Sequence, residues 1–280
     1  MKKIIIALLF LFNIGLTINA FSQVLDNPPR DGVYDKIHSG NRRPVPATNV
    51  READVTWQSR VWRVINFKEK MNQSFFYPSP EPLRDRISFM QMLMNSLKEG
   101  AINAYSDEEF LKVQTYESIM SSFERSDTVQ LENLETGLPY DTVIKSSIKL
   151  DQVYMLRLKE DWFFDRQRSV MDVRILGICP VMQLRDKEDN FKGWLEMFWI
   201  YFPDSRSVFA KTELFNTHND TERRTYDDIF WKRAFASYII KQSNVYDRKI
   251  STYKTGLDAL LEADKIKDGI FSMEHDLWEL

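Results

Sequence analysis

Few side chains in this sequence have the type and spacing that catalysis or metal binding requires. The three histidines, His38, His218 and His275, are far apart, whereas a helical zinc site needs two histidines four residues apart or a histidine beside cysteine ligands. The chain has nine glycines, and none lies in a nucleophile elbow or a phosphate-binding loop. We therefore expect no catalytic residue, no bound metal and no cofactor.

The single cysteine, Cys179, lies in the apolar stretch 175–180. Apolar surroundings raise the pKa of a thiol and suppress the reactive thiolate, so we expect a buried structural cysteine. One cysteine also excludes an internal disulfide.

One pair of carboxylates could do acid–base chemistry. Asp161 and Asp165 flank Trp162, Phe163 and Phe164, and glycosidases place two acids beside their sugar site. This reading makes the chain an exported carbohydrate-binding or glycoside-hydrolysing protein, which we keep as the alternative function. The other reading is a packed turn between strands, in which acids bond nearby backbone N–H groups, and we favour it.

The N-terminus has the pattern of a secretory signal. Lys2 and Lys3 precede the apolar run 4–16, and Ala20 supplies the small residue that signal peptidase needs. We predict a signal peptide over residues 1–20, too short in its apolar run for a membrane-spanning helix. No cysteine follows that could carry a lipid, so we expect a mature chain in the periplasm without direct membrane insertion.

Composition limits the classes of partner that the protein can be expected to bind. The chain has 38 Lys and Arg against 41 Asp and Glu, and loss of the two N-terminal lysines leaves five excess acidic residues. A mildly acidic protein has no general affinity for nucleic acid or anionic lipid. Aromatic residues make up 13% of the chain; burial in the core accounts for most of them, and we expect the rest at protein interfaces.

Hydrophobic periodicity predicts an α+β protein. A proline-containing stretch at 21–48 predicts an extended arm, and residues 49–280 a single α+β domain with central, mostly antiparallel strands and helices from both terminal parts. The predicted helices cover residues 51–66, with an Asn49/Glu52 capping box, and 83–99, 229–240 and 256–267. Between the second and third helices, alternation at 171–175 predicts a half-buried strand, and the apolar run 194–202 a central one.

Several stretches together resemble one family, the GldN/PorN proteins of type IX secretion and gliding motility. They are the stretches 31–35, 51–55, 60–65 and 69–72, the Tyr77-Pro78 break and, most specific, the string from Lys159 to Ser169 leading into 173–178. After Tyr253 we find no resemblance.

The resemblance implies a periplasmic structural subunit that is not an enzyme. It implies a ring formed with a GldK/PorK-like outer-membrane lipoprotein, self-association within that ring, and contact with a GldM/PorM-like motor protein, at the inner face of the outer membrane. The proline-rich arm would act as a strap across a neighbour. Candidate interface residues are Asp161, Trp162, Phe163, Phe164, Asp165, Arg166, Trp62 and Trp231.

Overall fold

The computed structural model describes residues 41–278 except 84–85, 124, 133–138, 147–149, 186–189, 217–218 and 220. The predicted signal peptide and residues 21–40 of the predicted arm lie outside the described residues. Residues 42–51 carry no helix or strand. None of the described helices is both long and apolar enough to cross a membrane.

A single antiparallel sheet organises the described part of the chain. Its strands follow the order β12-β1-β6-β7-β9-β2-β3, and β8 also pairs with β7. The three long strands are β1 (Val55–Asn66), β6 (Val153–Asp165) and β7 (Val170–Arg185). The shorter strands of this sheet are β2 (Ala104–Tyr105), β3 (Val113–Gln114), β8 (Phe191–Glu196), β9 (Trp199–Tyr201) and β12 (Tyr238–Gln242). Two separate hairpins pair β4 (Arg125–Glu132) with β5 (Pro139–Ser146) and β10 (Glu213–Leu214) with β11 (Arg224–Thr225).

Helices lie between and after the strands in sequence. In chain order they are α1 (Gln73–Phe76), α2 (Phe89–Lys98), α3 (Tyr116–Phe123), α4 (Phe202–Phe209), α5 (Tyr226–Trp231) and α6 (Leu257–Trp278). The α+β prediction with a mostly antiparallel sheet is confirmed.

The sheet is covered on both faces. On one face, Leu158 and Ile178 join a large core with Phe89 of α2 and Phe230 of α5, while further along β1 a second cluster packs against α6. The opposite face carries a third cluster built around Trp62, Cys179 and Trp199. This burial confirms the prediction for Cys179, and desolvation raises the pKa of its thiol.

The predicted helix over 51–66 is wrong. Residues 52–54 form one 3-10 turn, and 55–66 are strand β1, with no side-chain cap at the start of the turn. Apolar residues at 57, 61, 64 and 65 fit a helical stripe, but a strand covered on both faces is apolar at consecutive positions as well. Pairing with β6 and β12, which the local sequence does not contain, selects the strand.

The predicted helix over 83–99 begins six residues later than expected. Ser88 is its N-cap, and Gln91 completes a capping box, accepting from the Ser88 backbone N–H at 2.9 Å. Leu83 instead forms an isolated bridge with Arg86. The stronger cap, rather than the apolar periodicity, sets the start of this helix.

Two predictions, for residues 194–202 and 229–240, are wrong in part. The stretch 194–202 is not one central strand: β8 is largely exposed, β9 is buried, and Phe202 already begins α4 with Pro203 in its first turn. The helix over 229–240 ends at Trp231, and β12 begins at Tyr238. Arg233, with φ of 52°, lies in the left-handed region that ends the helix.

Two further predictions stand in part or in full. The strand at 171–175 lies within β7 and is confirmed. The last helix starts at Leu257, near the predicted position, but continues through Gly269 to Trp278.

Candidate functional site

The most specific sequence string forms the end of β6 and a tight hairpin into β7. The Asp165 carboxylate accepts hydrogen bonds from the backbone N–H groups of Gln167 (2.9 Å) and Arg168 (3.4 Å) and from Arg168 Nε (2.7 Å). The Arg168 side chain, followed by these backbone donors, holds the Asp165 pKa below its usual value. Arg168 also bonds Asp172 at 3.0 Å. Asp165 thus builds the turn, as the packed-turn reading predicts.

The Asp161 carboxylate is held by side chains of the neighbouring strand rather than by the turn. Arg60 on β1 donates to both of its oxygens, at 2.7 and 2.9 Å, and Gln58 donates a third bond at 2.9 Å. Asp161 lies four residues before Asp165 on one strand, about 13 Å away at the usual rise. Glycosidase carboxylates lie about 5 to 9.5 Å apart. The pair therefore lacks the carboxylate spacing of a glycosidase.

The opposite face of β6 carries a buried ion pair that the sequence analysis did not find. Glu160 is fully buried, and its carboxylate contacts the guanidinium of Arg233 at 3.0 Å. Trp162 donates its indole N–H to the same carboxylate at 3.1 Å. The guanidinium also lies 5.3 Å from the ring centres of both Trp162 and Phe235. No local pattern marks residue 233, which lies 73 positions from Glu160.

Trp62 is buried in a second polar network, on the face that carries Asp161. Its indole N–H donates to Glu108 at 2.8 Å, and Lys241 lies 4.2 Å from its ring centre. Lys159, its cross-strand partner, donates to the Glu108 carbonyl at 2.6 Å. Burial, with the nearby Arg60 charge, lowers the Lys159 pKa.

The predicted interface residues do not form one surface. Phe163 and Phe164 are buried, Trp162 is partly exposed, and Arg166 is exposed. Trp231 lies elsewhere, on α5, where the residue is 48% exposed and its ring centre lies 4.7 Å from the Arg206 guanidinium. A role in partner binding stays a prediction for all eight residues.

Exposed apolar side chains concentrate outside the hairpin, in three groups. On β8 and the end of β7 they are Leu184, Phe191, Trp194 and Leu195, and at the β3 edge they are Leu111 and Val113. On the loop 244–254 and on α6 they are Val245, Tyr246, Tyr253, Leu257, Leu260, Leu261 and Phe271. Within the described ranges, no group of His, Cys, Asp or Glu side chains is placed to hold a metal ion. A shallow cavity of about 190 Å³ lies between α6 and β12, lined by residues that include Arg63, Tyr238, Ala263 and Asp264.

A family model described as "Gliding motility associated protein GldN" matches residues 50–279. The match continues past Tyr253, where the sequence analysis found no resemblance, and so includes β12 and α6. No curated protein matches the chain.

Proposed function

The chain belongs to the GldN family, a component of the gliding-motility and type IX secretion machinery, and from this membership we propose that it is a periplasmic ring subunit of that machinery. The family is a structural one and not a known enzyme family. In the proposed assembly the chain forms a ring with a GldK/PorK-like lipoprotein, which ties it to the inner face of the outer membrane. It also contacts a GldM/PorM-like motor protein.

The observation that carries the proposal is the family match over 230 consecutive positions, 50–279. Site geometry supports it, because the two carboxylates that a glycosidase reading would use, Asp161 and Asp165, are held by arginines in structural bonds. Exposed apolar side chains on separate surfaces also suit a subunit with several neighbours.

The segment before β1 supports a strap in the proposed assembly. Arg42 donates to the Arg223 carbonyl at 2.8 Å and to Asp228 at 2.9 Å, and Arg174 donates to the Thr48 carbonyl. These bonds hold residues 42–48 along the surface of the domain. They would give a strap formed by the preceding residues a fixed starting point.

Co-expression with the GldK/PorK-like lipoprotein of the same genome tests the proposal. We expect the chain to move from the soluble to the membrane fraction, and the detergent-solubilised complex to be far larger than a one-to-one pair. A lipoprotein without its lipidated cysteine is the control, since the complex should then form in the soluble fraction. A chain that stays monomeric beside a folded, membrane-bound lipoprotein would overturn the proposal.

Deletion of residues 21–48 tests the strap. The deletion removes neither the sheet nor its cores, so the domain should fold, and we expect weaker association with the lipoprotein. Arg42→Ala releases the anchor without shortening the chain, and it should weaken the association less than the deletion does. An unchanged complex after the deletion would rule out the strap and leave the ring subunit proposal intact.

A further inference from the structure

The outward side of α6 carries a second stripe, distinct from the one that packs on the sheet. Ala263 and Ile270 are buried against β1 and β12. Outside that contact, residues spaced alternately by four and three positions are exposed: Leu257, Leu261, Asp264, Asp268 and Phe271, of which Asp264 also borders the cavity beside β12. Leu257 and Phe271 are each 71% exposed. The outer stripe, as we name these five residues, has apolar ends and an acidic centre.

This helix is strongly acidic. It contains six acidic residues, Asp258, Glu262, Asp264, Asp268, Glu274 and Asp276, against two lysines, Lys265 and Lys267. Within the part of the chain that the structure describes, none of these eight side chains forms an ion pair. An unpaired acidic surface beside exposed leucines attracts a surface with basic and apolar groups.

The loop 244–254, directly before α6, has that chemistry. Val245 is 98% and Tyr246 76% exposed. The Arg248 guanidinium lies 5.0 Å from the ring centre of Tyr246 and 4.6 Å from that of Tyr253. Among the described residues no carboxylate pairs with Arg248. The loop thus presents one positive charge between apolar side chains.

Neighbouring charges in the loop are already matched within the chain. Asp247 pairs with Lys241, and Lys249 lies 3.7 Å from Glu196. Arg248 and Lys254 remain as the loop's unmatched charges among the described residues, so its available charge is positive.

The loop is also preformed. Asn244 donates to the carbonyls of Gln242 (2.7 Å) and Arg248 (3.0 Å), and its side-chain oxygen accepts from the N–H groups of Tyr246 and Arg248, each at 3.1 Å. An exposed aromatic loop that is fixed before binding loses little conformational entropy when it binds. The loop therefore presents the exposed side chains of Val245 and Tyr246 in a fixed position.

We propose that the outer stripe of α6 in one copy binds the loop 244–254 of a second copy, with Arg248 facing Asp264 and Asp268. The apolar ends of the stripe then cover the tyrosines, and the two unmatched sets of charges meet. This inference rests on the self-association in the proposed function, and names the surfaces that form it. Because the two surfaces differ, the contact is head-to-tail and each copy can bind two neighbours.

Charge reversal tests the contact. One variant carries Asp264→Lys and Asp268→Lys, and the other carries Arg248→Glu with Lys254→Glu. Self-association is measured by analytical ultracentrifugation of the purified chain and by size analysis of the complex with the lipoprotein. Each variant alone should associate at least about tenfold more weakly than the natural chain, because like charges face each other. A mixture of the two variants should associate again, since each then meets a complementary partner.

A matched control has the same net charge as the helix variant, but its two substitutions lie outside the outer stripe. Asp258→Lys with Asp276→Lys alters the same helix outside the outer stripe, and its association should stay close to that of the natural chain. Asn244→Ala loosens the loop without changing charge and should weaken association, with the melting temperature used to confirm folding.

The outcomes separate this inference from the proposed function. Copies that remain single both alone and with the lipoprotein overturn both proposals. A large complex that charge reversal leaves unchanged overturns the α6–loop contact only. Variants that lose association alone and do not recover when mixed show that the outer stripe and the loop do not pair with each other, which also overturns this contact.

Discussion

The guanidinium of Arg233 and the fully buried carboxylate of Glu160 on β6 meet at 3.0 Å, and the guanidinium also lies against the rings of Trp162 and Phe235. Arg233 reaches this position from the left-handed backbone conformation that ends α5. The pair therefore ties the specific β6 string to the turn between α5 and β12, two segments far apart in sequence.

Arg233→Ala should destabilise the protein by about 3 kcal/mol, because it strands a buried carboxylate without its cation. Glu160→Gln should cost less, since Arg233 is about a quarter exposed on its side chain and can be solvated. Urea unfolding monitored by tryptophan fluorescence measures both. Arg166→Ala, an exposed residue of the same string, is the control and should change stability little; equal losses at 160 and 233 would contradict this account.

Gly177→Ala should disturb the packing of Phe110 and Trp199 in the cluster around Trp62 and Cys179. A Cβ at residue 177 would lie 2.6 Å from the Phe110 ring and 3.2 Å from Trp199. Overpacking of this kind costs about 1–3 kcal/mol. The double variant Gly177→Ala with Phe110→Leu should recover part of the loss, as measured by urea unfolding. If the single change is neutral, Phe110 does not hold its position against Gly177.

Acid should remove the stability that Asp165 contributes. Its pKa in the folded chain is held below the ordinary value of 3.8 by Arg168 and the turn N–H groups. A depressed folded-state pKa stabilises the protein above the unfolded pKa, and this contribution disappears as the pH falls through the folded value.

Asp165→Asn should therefore be less stable than the natural chain at pH 6, and the difference should shrink below about pH 4. Urea unfolding of both proteins across pH 3 to 6 measures this difference. A gap that stays constant with pH would show that the turn does not depend on the ionised carboxylate.

Substitutions of two tryptophans, Trp162 and Trp231, distinguish a role in folding from a role in partner binding. Trp162→Ala should lower stability by about 2–3 kcal/mol, because the indole packs on the α6 cluster and bonds Glu160. Trp231→Ala should cost under about 1 kcal/mol, since its ring is nearly half exposed. Melting temperature and lipoprotein pull-down measured on both variants give the comparison.

Lost pull-down with an unchanged melting temperature would place Trp231 in an interface. The same result for Trp162 would contradict a purely structural role for the hairpin string.

Local chemistry made some features predictable. The hairpin at 161–169 follows from acids and polar residues between apolar strands, and the burial of Cys179 from its apolar neighbours. The start of α6 follows from helical periodicity after Gly256. Each of these rests on contacts between residues close in sequence, which a local pattern contains.

Other features depend on distant partners. Residues 55–66 fit a helical stripe, and only the strands on either side make them a strand. Ile239 reads as the continuation of a helix, but Arg233 turns the chain and β1 supplies backbone partners for β12. Glu160 looks like one of many surface acids until Arg233 is placed beside it.

By itself, the sequence was enough to predict a secretory signal peptide, the α+β class and the family resemblance. It also showed no recognisable catalytic motif. These depend on composition, short motifs and local periodicity. The tertiary structure alone decided that Asp161 and Asp165 are structural, that β1 is a central strand, and that the outer stripe of α6 and the loop 244–254 remain exposed. Burial and ion pairing depend on which distant residues fill the space around a side chain, and that information is not contained in any local stretch of sequence.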